Sequence, residues 1–293
     1  MTVRSSRTRW AIALIALALL AGAAVYVVRQ HARPRNLVDY GPIGGSAKKG
    51  VGTWHFHGVT DGLPDSGVSW YYNWQPSPST SGKGGPTFIP TAWGKESVNA
   101  RHLRKAKSSG NVLLTFNEPD RADQANLPVE TAIDLWPQLM ATGMRLASPA
   151  PSADAATPGS WLDTFMTQIQ ARGYRVDFIA VHWYGADFDD TAVEQLRSYL
   201  QSVHDRYGLP IWLTEFSLIR FADHSPDLDK AIYPTAEQQV RFITQAVTML
   251  ENLPYVERYA WFALPTLKGG RGSGLCAGDG ALTQAGRAYR AAA

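Results

Sequence analysis

The segments NVLLTFNEPD (residues 111–120) and PIWLTEFSL (residues 210–218) each contain an apolar, strand-like run that reaches a glutamate, Glu118 or Glu215. In (β/α)8 barrels, functional residues lie at the carboxyl ends of the strands. One such glutamate would need no special explanation, because charged residues are common at solvated strand ends. Two of them, flanked by aromatic residues in a regular alternation of strands and helices, predict a shared site.

The rest of the chain continues this alternation from residue 48 onward, which is typical of a parallel sheet covered by helices. Strands are predicted at 50–56, 68–74, 87–93, 112–116, 145–149, 177–183, 210–215 and 256–262. Helices are predicted at 97–107, 129–142, 160–172, 191–206, 235–253 and 283–291. Eight strands over residues 48–293 predict an α/β fold of the (β/α)8 TIM barrel type, which needs about 250 residues.

The amino-terminal part of the chain differs from this domain. Residues 10–28 carry no charge and are long enough to span a bilayer, whose hydrocarbon core is about 30 Å thick. The small residues at 21–23 also fit a cleaved signal peptide, so residues 1–28 are predicted to be either a signal peptide or a membrane anchor. Residues 29–47 are then predicted to be a linker, and the domain is predicted to be exported to the cell surface or the extracellular space.

The composition excludes several classes of protein. The formal net charge is only +3, and Arg4, Arg7 and Arg9 precede the apolar run, so nothing indicates a nucleic-acid binder. The single cysteine, Cys276, cannot form an intramolecular disulfide. We expect a monomer without a cofactor or a metal. His55 and His57 share a face of the first predicted strand, but no third zinc ligand is evident from the spacing.

Glu118 follows the fourth predicted strand and Glu215 ends the seventh, so both reach one cleft across the barrel mouth. Paired carboxylates are the reactive groups of most glycosidases, with one protonated and one ionised. Asn117 can hold a sugar hydroxyl beside Glu118, although it also suits a turn. His182 and Tyr184, at the end of the sixth strand, can hydrogen-bond Glu215 and keep it charged.

Aromatic residues fall in or at the ends of the predicted strands. Core packing accounts for some of them, but tryptophan is large for a barrel interior and its indole N–H needs a partner when buried. A tryptophan-rich rim suits a polyhydroxy substrate. The predicted substrate-binding rings are Trp54, Trp74, Trp93, Trp183 and Trp261.

Several segments resemble one known family, glycoside hydrolase family 128, the alkali-sensitive linkage protein-like glycosyl hydrolases, from residue 48 to the carboxyl terminus. The segments are, in order, VSWYYNW, FIPTAWG, LLTFNEPDRADQANL, AIDLWPQL, LASPA, WLDTF, DFIAVHWYG, IWLTEFSL and RYAWF. The resemblance implies a (β/α)8 endo-β-1,3-glucanase that retains anomeric configuration. It implies that Glu118, in the NEP motif, is the general acid/base and that Glu215, in the TEF motif, is the nucleophile.

Two alternatives remain at the level of the sequence. One keeps both glutamates but changes the polymer to another β-glucan or another surface polysaccharide. The other is a membrane-tethered glucan-binding protein that has lost turnover. The retention of both carboxylates, with Asn117 beside one of them, favours an enzyme, because a binding protein would not need the pair.

Overall fold

The computed structural model describes residues 46–79, 85–222 and 227–292. The predicted signal or anchor segment (1–28) and nearly all of the predicted linker (29–47) lie outside these residues. The strands are β1 (Lys49–Gly52), β2 (Trp70–Tyr72), β3 (Thr87–Phe88), β4 (Val112–Leu113), β5 (Arg145–Leu146), β6 (Ile179–Gly185), β7 (Ile211–Leu218) and β8 (Val256–Phe262). The helices are α1 (Val59–Asp65), α2 (Ala100–Ser109), α3 (Val129–Met140), α4 (Trp161–Ala171), α5 (Thr191–Tyr207), α6 (Ala236–Asn252) and α7 (Gln284–Ala291).

The strands form two groups in which all neighbours are parallel. Six of them form a sheet in the order β3-β2-β1-β8-β7-β6, and β4 pairs with β5. Single bridges join the β4–β5 pair to the other strands. Thr91, which follows β3, pairs with Leu114 directly after β4, and Ala147, which follows β5, pairs with Phe178 just before β6. Because the strands are parallel, their carboxyl ends share one edge, where both glutamates lie.

Each strand places alternate side chains on opposite faces, and two hydrophobic clusters result. The larger cluster packs the sheet against the helices; the smaller contains Trp70 and Trp212, both fully buried. Tryptophan therefore does fill the inner face, contrary to the sequence-based expectation. The reason is Gly50, which pairs with Trp70: a Cβ at Gly50 would lie 2.2 Å from the Trp70 ring.

Two consecutive lysines attach the start of β1 to the last two helices. The Lys48 ammonium donates to carbonyls at the end of α6, including that of Glu251 at 2.9 Å. The fully buried Lys49 ammonium donates to carbonyls at the end of α7, including that of Tyr289 at 2.9 Å. These cations satisfy carbonyl groups that helix ends leave unpaired.

The fold predictions hold best where the elements are long. Strand β8 has the predicted bounds, and the six predicted helices are present, whereas β3, β4 and β5 are much shorter than predicted. The short helix α1 was not predicted. None of the helices in the described part of the chain has the length and apolar character needed to cross a membrane.

Candidate active site

A cleft of about 320 Å³ opens at the carboxyl ends of the strands. It contains both glutamates, and aromatic rings form much of its wall. The lining residues are Trp54, Trp74, Trp93, Asn117, Glu118, Arg121, Gln124, Tyr184, Glu215, Phe221, Leu228 and Phe262. The cleft therefore combines a pair of carboxylates with the rings that a polyhydroxy ligand would contact.

Glu215 lies at the bottom of the cleft and is held by several donors. Its side chain points inward from β7 and the residue is only 5% exposed. The Tyr72 hydroxyl lies 3.1 Å from Oε1 and the Trp74 indole N–H donates to Oε1 at 3.0 Å. The Tyr184 hydroxyl donates to Oε2. The Tyr72 hydroxyl also lies 2.9 Å from the Thr214 carbonyl, and its single hydrogen serves one acceptor at a time. Trp74 and Tyr184 are therefore the two neutral donors that fix the carboxylate and favour its ionised form.

Glu118 is more accessible and its backbone is unusual. Its amide N–H donates to the Ala150 carbonyl at 2.7 Å, and its φ angle is +42°, in the left-handed region that non-glycine residues rarely adopt. Trp74, which also lines the cleft, has a positive φ angle of +58°. Such strained residues cost about 1–3 kcal/mol each and concentrate at functional sites. The backbone here thus aims the Glu118 carboxylate into the cleft.

His182 lies between the two glutamates. Its Nδ1 is 3.0 Å from Glu118 Oε1 and its Nε2 is 3.5 Å from Glu215 Oε1, and the residue is only 3% exposed. One carboxylate oxygen of each glutamate and a ring nitrogen of His182 lie within 4.8 Å of one another. The same three groups could ligate a metal ion. His55 and His57 are exposed and follow β1, rather than lying on it as predicted.

Burial and charge act against each other at this site. Burial raises the pKa of Glu215, while the charge of His182 and the hydrogen bonds from Tyr184 and Trp74 act to lower it; the net direction is upward. Burial alone would lower the pKa of His182, but the charges of Glu215 and Glu118 outweigh it, and that pKa is raised. The imidazole is thus more easily protonated than an ordinary histidine, and when protonated it can donate to both carboxylates.

The structure brings most of the predicted site residues together. Trp54, Trp74, Trp93, Asn117 and Tyr184 line the cleft with the two glutamates, and His182 contacts both glutamates. The Asn117 amide donates to Gln124 at 3.2 Å, so one of its N–H groups is already used.

Two of the predicted rings do not border the cleft. Trp261 is fully buried on the opposite face, where its indole N–H donates to the Ser273 carbonyl at 2.8 Å. Trp183 also packs into the larger core cluster and stacks on Phe242 of α6 at 5.8 Å. Strand alternation explains this correction, because the next residues along the chain, Tyr184 and Phe262, face the cleft, and their neighbours must face away.

The sequence-based prediction also missed cleft residues. Tyr72, which ends β2, was not assigned to the site, although its hydroxyl lies 3.1 Å from Glu215 Oε1 beneath the cleft. Arg121, Gln124, Phe221 and Leu228 follow strands β4 and β7 in loops, where no periodic pattern indicates which way a side chain points.

Comparison with known proteins identifies the family of this site. A profile described as "Glycosyl hydrolase catalytic core" matches residues 56–289. A crystal structure of a glycoside hydrolase family 128 (subgroup I) endo-β-1,3-glucanase from Amycolatopsis mediterranei, in complex with laminarihexaose, is 48% identical to the chain. It covers 85% of this chain and 100% of its own, with a TM-score of 0.79. The chain belongs to glycoside hydrolase family 128.

Two more distant relatives are about 30% identical to this family 128 member. A subgroup II endo-β-1,3-glucanase from Sorangium cellulosum is 29% identical over 84% of this chain and 98% of its own, with a TM-score of 0.68. The curated alkali-sensitive linkage protein 1 of Schizosaccharomyces pombe is 31% identical over 246 residues. That match covers 79% of this chain, which spans only 42% of the length of the yeast protein.

Proposed function

We propose that this family 128 member is a retaining endo-β-1,3-glucanase in which Glu215 is the nucleophile and Glu118 the general acid/base. The observation that carries the proposal is the pair itself: a carboxylate oxygen of Glu118 and one of Glu215 lie within 4.8 Å of each other in an aromatic cleft. Retaining glycosidases keep their two carboxyl groups about 5–5.5 Å apart, and inverting enzymes keep theirs about 6.5–9.5 Å apart to leave room for a water molecule. The 4.8 Å limit joins one oxygen of each group, and a gap this short between oxygens favours the smaller of the two separations.

The scaffold we propose is a closed eight-stranded barrel. The two single bridges, Thr91 to Leu114 and Ala147 to Phe178, stand at the two positions where the β4–β5 pair must join the six-stranded sheet for closure. In a (β/α)8 barrel the fourth and seventh strands lie across the mouth, which agrees with the position of the two glutamates at one edge.

The proposed roles follow from the environment of each carboxylate. Glu215 is deeply buried, which raises its pKa, but the Trp74 and Tyr184 donors aim the carboxylate and offset part of that cost, so in its ionised form it can attack the anomeric carbon. Glu118 is more accessible and touches His182, so it can give a proton to the leaving oxygen and later take one from water. The bond to the leaving sugar breaks as the Glu215–sugar bond forms, and water then breaks that second bond.

The structures of relatives support this assignment of residues. Two crystallised variants of the Amycolatopsis enzyme each carry a substitution of a glutamate, and these two glutamates are 97 positions apart. Glu118 and Glu215 are also 97 positions apart. Those structures are complexes with laminarihexaose and with laminaritriose and laminaribiose, which are β-1,3-linked glucose oligomers.

The aromatic walls favour a curved chain as substrate. Trp54, Trp74 and Phe262 form one group of rings, with centroids 6.0–6.4 Å apart, while Trp93 and Phe221 come from other parts of the rim. A curved β-1,3-glucan needs rings on more than one wall, whereas a straight β-1,4 chain would favour a row of coplanar platforms.

Hydrolysis of a panel of polymers tests the substrate. Linear β-1,3-glucan should be cut in preference to cellulose and mannan, and the early products should be oligosaccharides of several lengths, as internal cleavage requires. Reducing ends and product lengths are the measurements. Preference for a β-1,4-linked polymer would favour another substrate, release of glucose alone would contradict internal cleavage, and binding without hydrolysis would favour the non-catalytic alternative.

The dependence of activity on pH tests the role of Tyr184. Glu215 must be ionised to attack, so activity is lost as the pH falls through its pKa. The Tyr184 hydroxyl stabilises the anion and lowers that pKa. Tyr184→Phe should therefore raise it and move the acidic limb of the kcat/KM profile to higher pH. Tyr255→Phe, which removes a hydroxyl bonded to Gln201 outside the cleft, is the control and should leave the profile in place. An unchanged acidic limb in Tyr184→Phe would contradict the role.

A further inference from the structure

Helix α2 (Ala100–Ser109) concentrates positive charge in a domain that is otherwise acidic. Its sequence, ARHLRKAKSS, contains Arg101, Arg104, Lys105 and Lys107 and no acidic residue. Residues 46–293 together contain 22 lysines and arginines against 24 aspartates and glutamates, so the domain has a slight net negative charge. The part of the domain outside α2 therefore has a clear excess of acidic residues.

The four cations share the exposed side of the helix. Arg101, Arg104 and Lys105 have the i, i+3, i+4 spacing of one helical face, and Lys107 follows Arg104 by three residues. All four are exposed, whereas Ala106 on the other side is fully buried in the larger core cluster. The helix thus turns a continuous cationic stripe, made of these four residues, toward solvent.

No anion of the described part of the chain neutralises this stripe. None of its four side chains makes an ion pair or a hydrogen bond with another described residue. On α5, by contrast, Arg197 Nε lies 3.3 Å from Glu194 Oε2. Like charges three or four residues apart destabilise a helix, so the stripe lowers the stability of α2. An anionic surface placed against the stripe would remove this repulsion.

The stripe is separate from the cleft. The described residues that line the cleft include none from α2. Hydrogen bonds fix the start of the helix: the Asn99 side chain accepts from the His102 amide at 2.9 Å, and His102 Nε2 lies 3.0 Å from the Thr91 carbonyl oxygen. A partner bound to the stripe would therefore meet a well-held helix and leave the cleft open to a polymer.

The chain that precedes the domain indicates which anionic surface is near. Helix α2 ends three residues before β4, at the edge where the parallel strands begin and where the chain enters β1. Upstream are the predicted linker (29–47) and the apolar run at 10–28, which Arg29, Arg33 and Arg35 follow. A linker of this length reaches at most about 65 Å, so an uncleaved anchor keeps α2 within reach of a bilayer.

We propose that the cationic stripe of α2 is a docking surface for the anionic lipid headgroups of the membrane to which the domain is tethered. Clusters of four or more lysines and arginines near a bilayer bind anionic lipids, and the attraction fades within a Debye length of about 8 Å at physiological ionic strength. Contact through the stripe holds the domain against the membrane while the cleft remains accessible.

Energy transfer in vesicles tests the proposal with the full-length protein. The donor dye is attached to the thiol of Ser108→Cys, an exposed position beside the stripe, and Cys276 is buried and leaves this thiol as the reactive one. The acceptor is a lipid with a labelled headgroup. Transfer should be about two-fold or more higher in vesicles of phosphatidylcholine with phosphatidylglycerol than in phosphatidylcholine alone, and it should fall as the salt concentration rises.

Charge reversal identifies the residues responsible. Arg104→Glu combined with Lys105→Glu should abolish the increase in transfer. Arg241→Glu combined with Lys268→Glu makes the same change in net charge at exposed positions outside α2, and this matched control should keep the increase. Arg104→Lys combined with Lys105→Arg preserves the charge and should keep it as well. All of these positions are exposed, so the circular dichroism spectrum should stay native in each protein.

Several results would overturn the proposal. They are equal transfer in neutral and anionic vesicles, an equal loss in both charge-reversed proteins, and an equal response from a dye on Ser202→Cys, an exposed position of α5. Protein that does not insert is measured by co-sedimentation with the same vesicles, where the absence of a preference for anionic lipid would also overturn it. Tighter binding to a soluble acidic polysaccharide, or a dimer that reversal at Arg104 and Lys105 dissociates, would assign the stripe to another partner.

Discussion

Glu215→Ala is expected to lower kcat on linear β-1,3-glucan by about 10⁴-fold or more, because it removes the group that forms the covalent intermediate. The effect should be large because Glu215 is held by hydrogen bonds from Trp74 and Tyr184, and no other carboxylate among the cleft residues is held in this way. Release of reducing ends measures the loss.

Chemical rescue gives this variant a second readout. Azide should enter the space left by the carboxylate, attack from the same side and yield a glycosyl azide of the α configuration. Glu194→Ala, an exposed glutamate of α5 that pairs with Arg197, is the matched control and should keep native activity. Activity of Glu215→Ala within 10-fold of the native protein, or a β-glycosyl azide product, would contradict the nucleophile assignment.

Glu118→Gln is expected to lower kcat/KM on the natural polymer by about 10²–10⁴-fold, the usual contribution of general acid/base catalysis. Glutamine keeps the size of the side chain and the hydrogen bond to His182 but cannot supply a proton to the leaving oxygen. An aryl glycoside with a good leaving group needs no proton, so its first step should be nearly unaffected. Its second step, in which Glu118 activates water, should become slow and produce a burst of released phenol.

The comparison of the two substrates decides the role of Glu118. Both are measured with the same variant, so any general damage to the cleft would appear in both. Equal losses on the polymer and on the activated glycoside would contradict a proton-transfer role and would assign Glu118 to positioning. A matching test is azide rescue, which should give a product of the β configuration, because the nucleophile Glu215 remains in place.

The pattern of apolar runs predicted the order of the elements better than their lengths. Strand β8 was predicted with its observed bounds, and β7 extends three residues beyond its predicted end. The runs at 87–93, 112–116 and 145–149 yield only two-residue strands, with single bridges beyond each of the three. A run of apolar residues shows that a segment is buried, but it does not determine how far its hydrogen-bonded pairing continues.

That the two glutamates share one cleft was predictable because both come at the carboxyl side of apolar runs in one parallel arrangement, although Glu215 lies within β7 and Glu118 lies beyond β4. The aromatic residues were harder, since Trp261 and Trp183 are as close to the strand ends as the rings that line the cleft, and only their parity along the strand separates them. Trp70 fits inside because Gly50 faces it, a pairing between strands that the sequence alone does not reveal. Arg121 and Phe221 lie on loops, where the direction of a side chain depends on the folded backbone.

The most direct test of the central claim is the anomeric configuration of the first product released from linear β-1,3-glucan, followed by proton NMR before mutarotation is complete. The proposed mechanism, with both carboxylates in direct reach of one anomeric carbon, predicts that the β anomer appears first and that the α anomer follows slowly. Initial release of the α anomer would contradict the account, because it would require a water molecule between the sugar and Glu215.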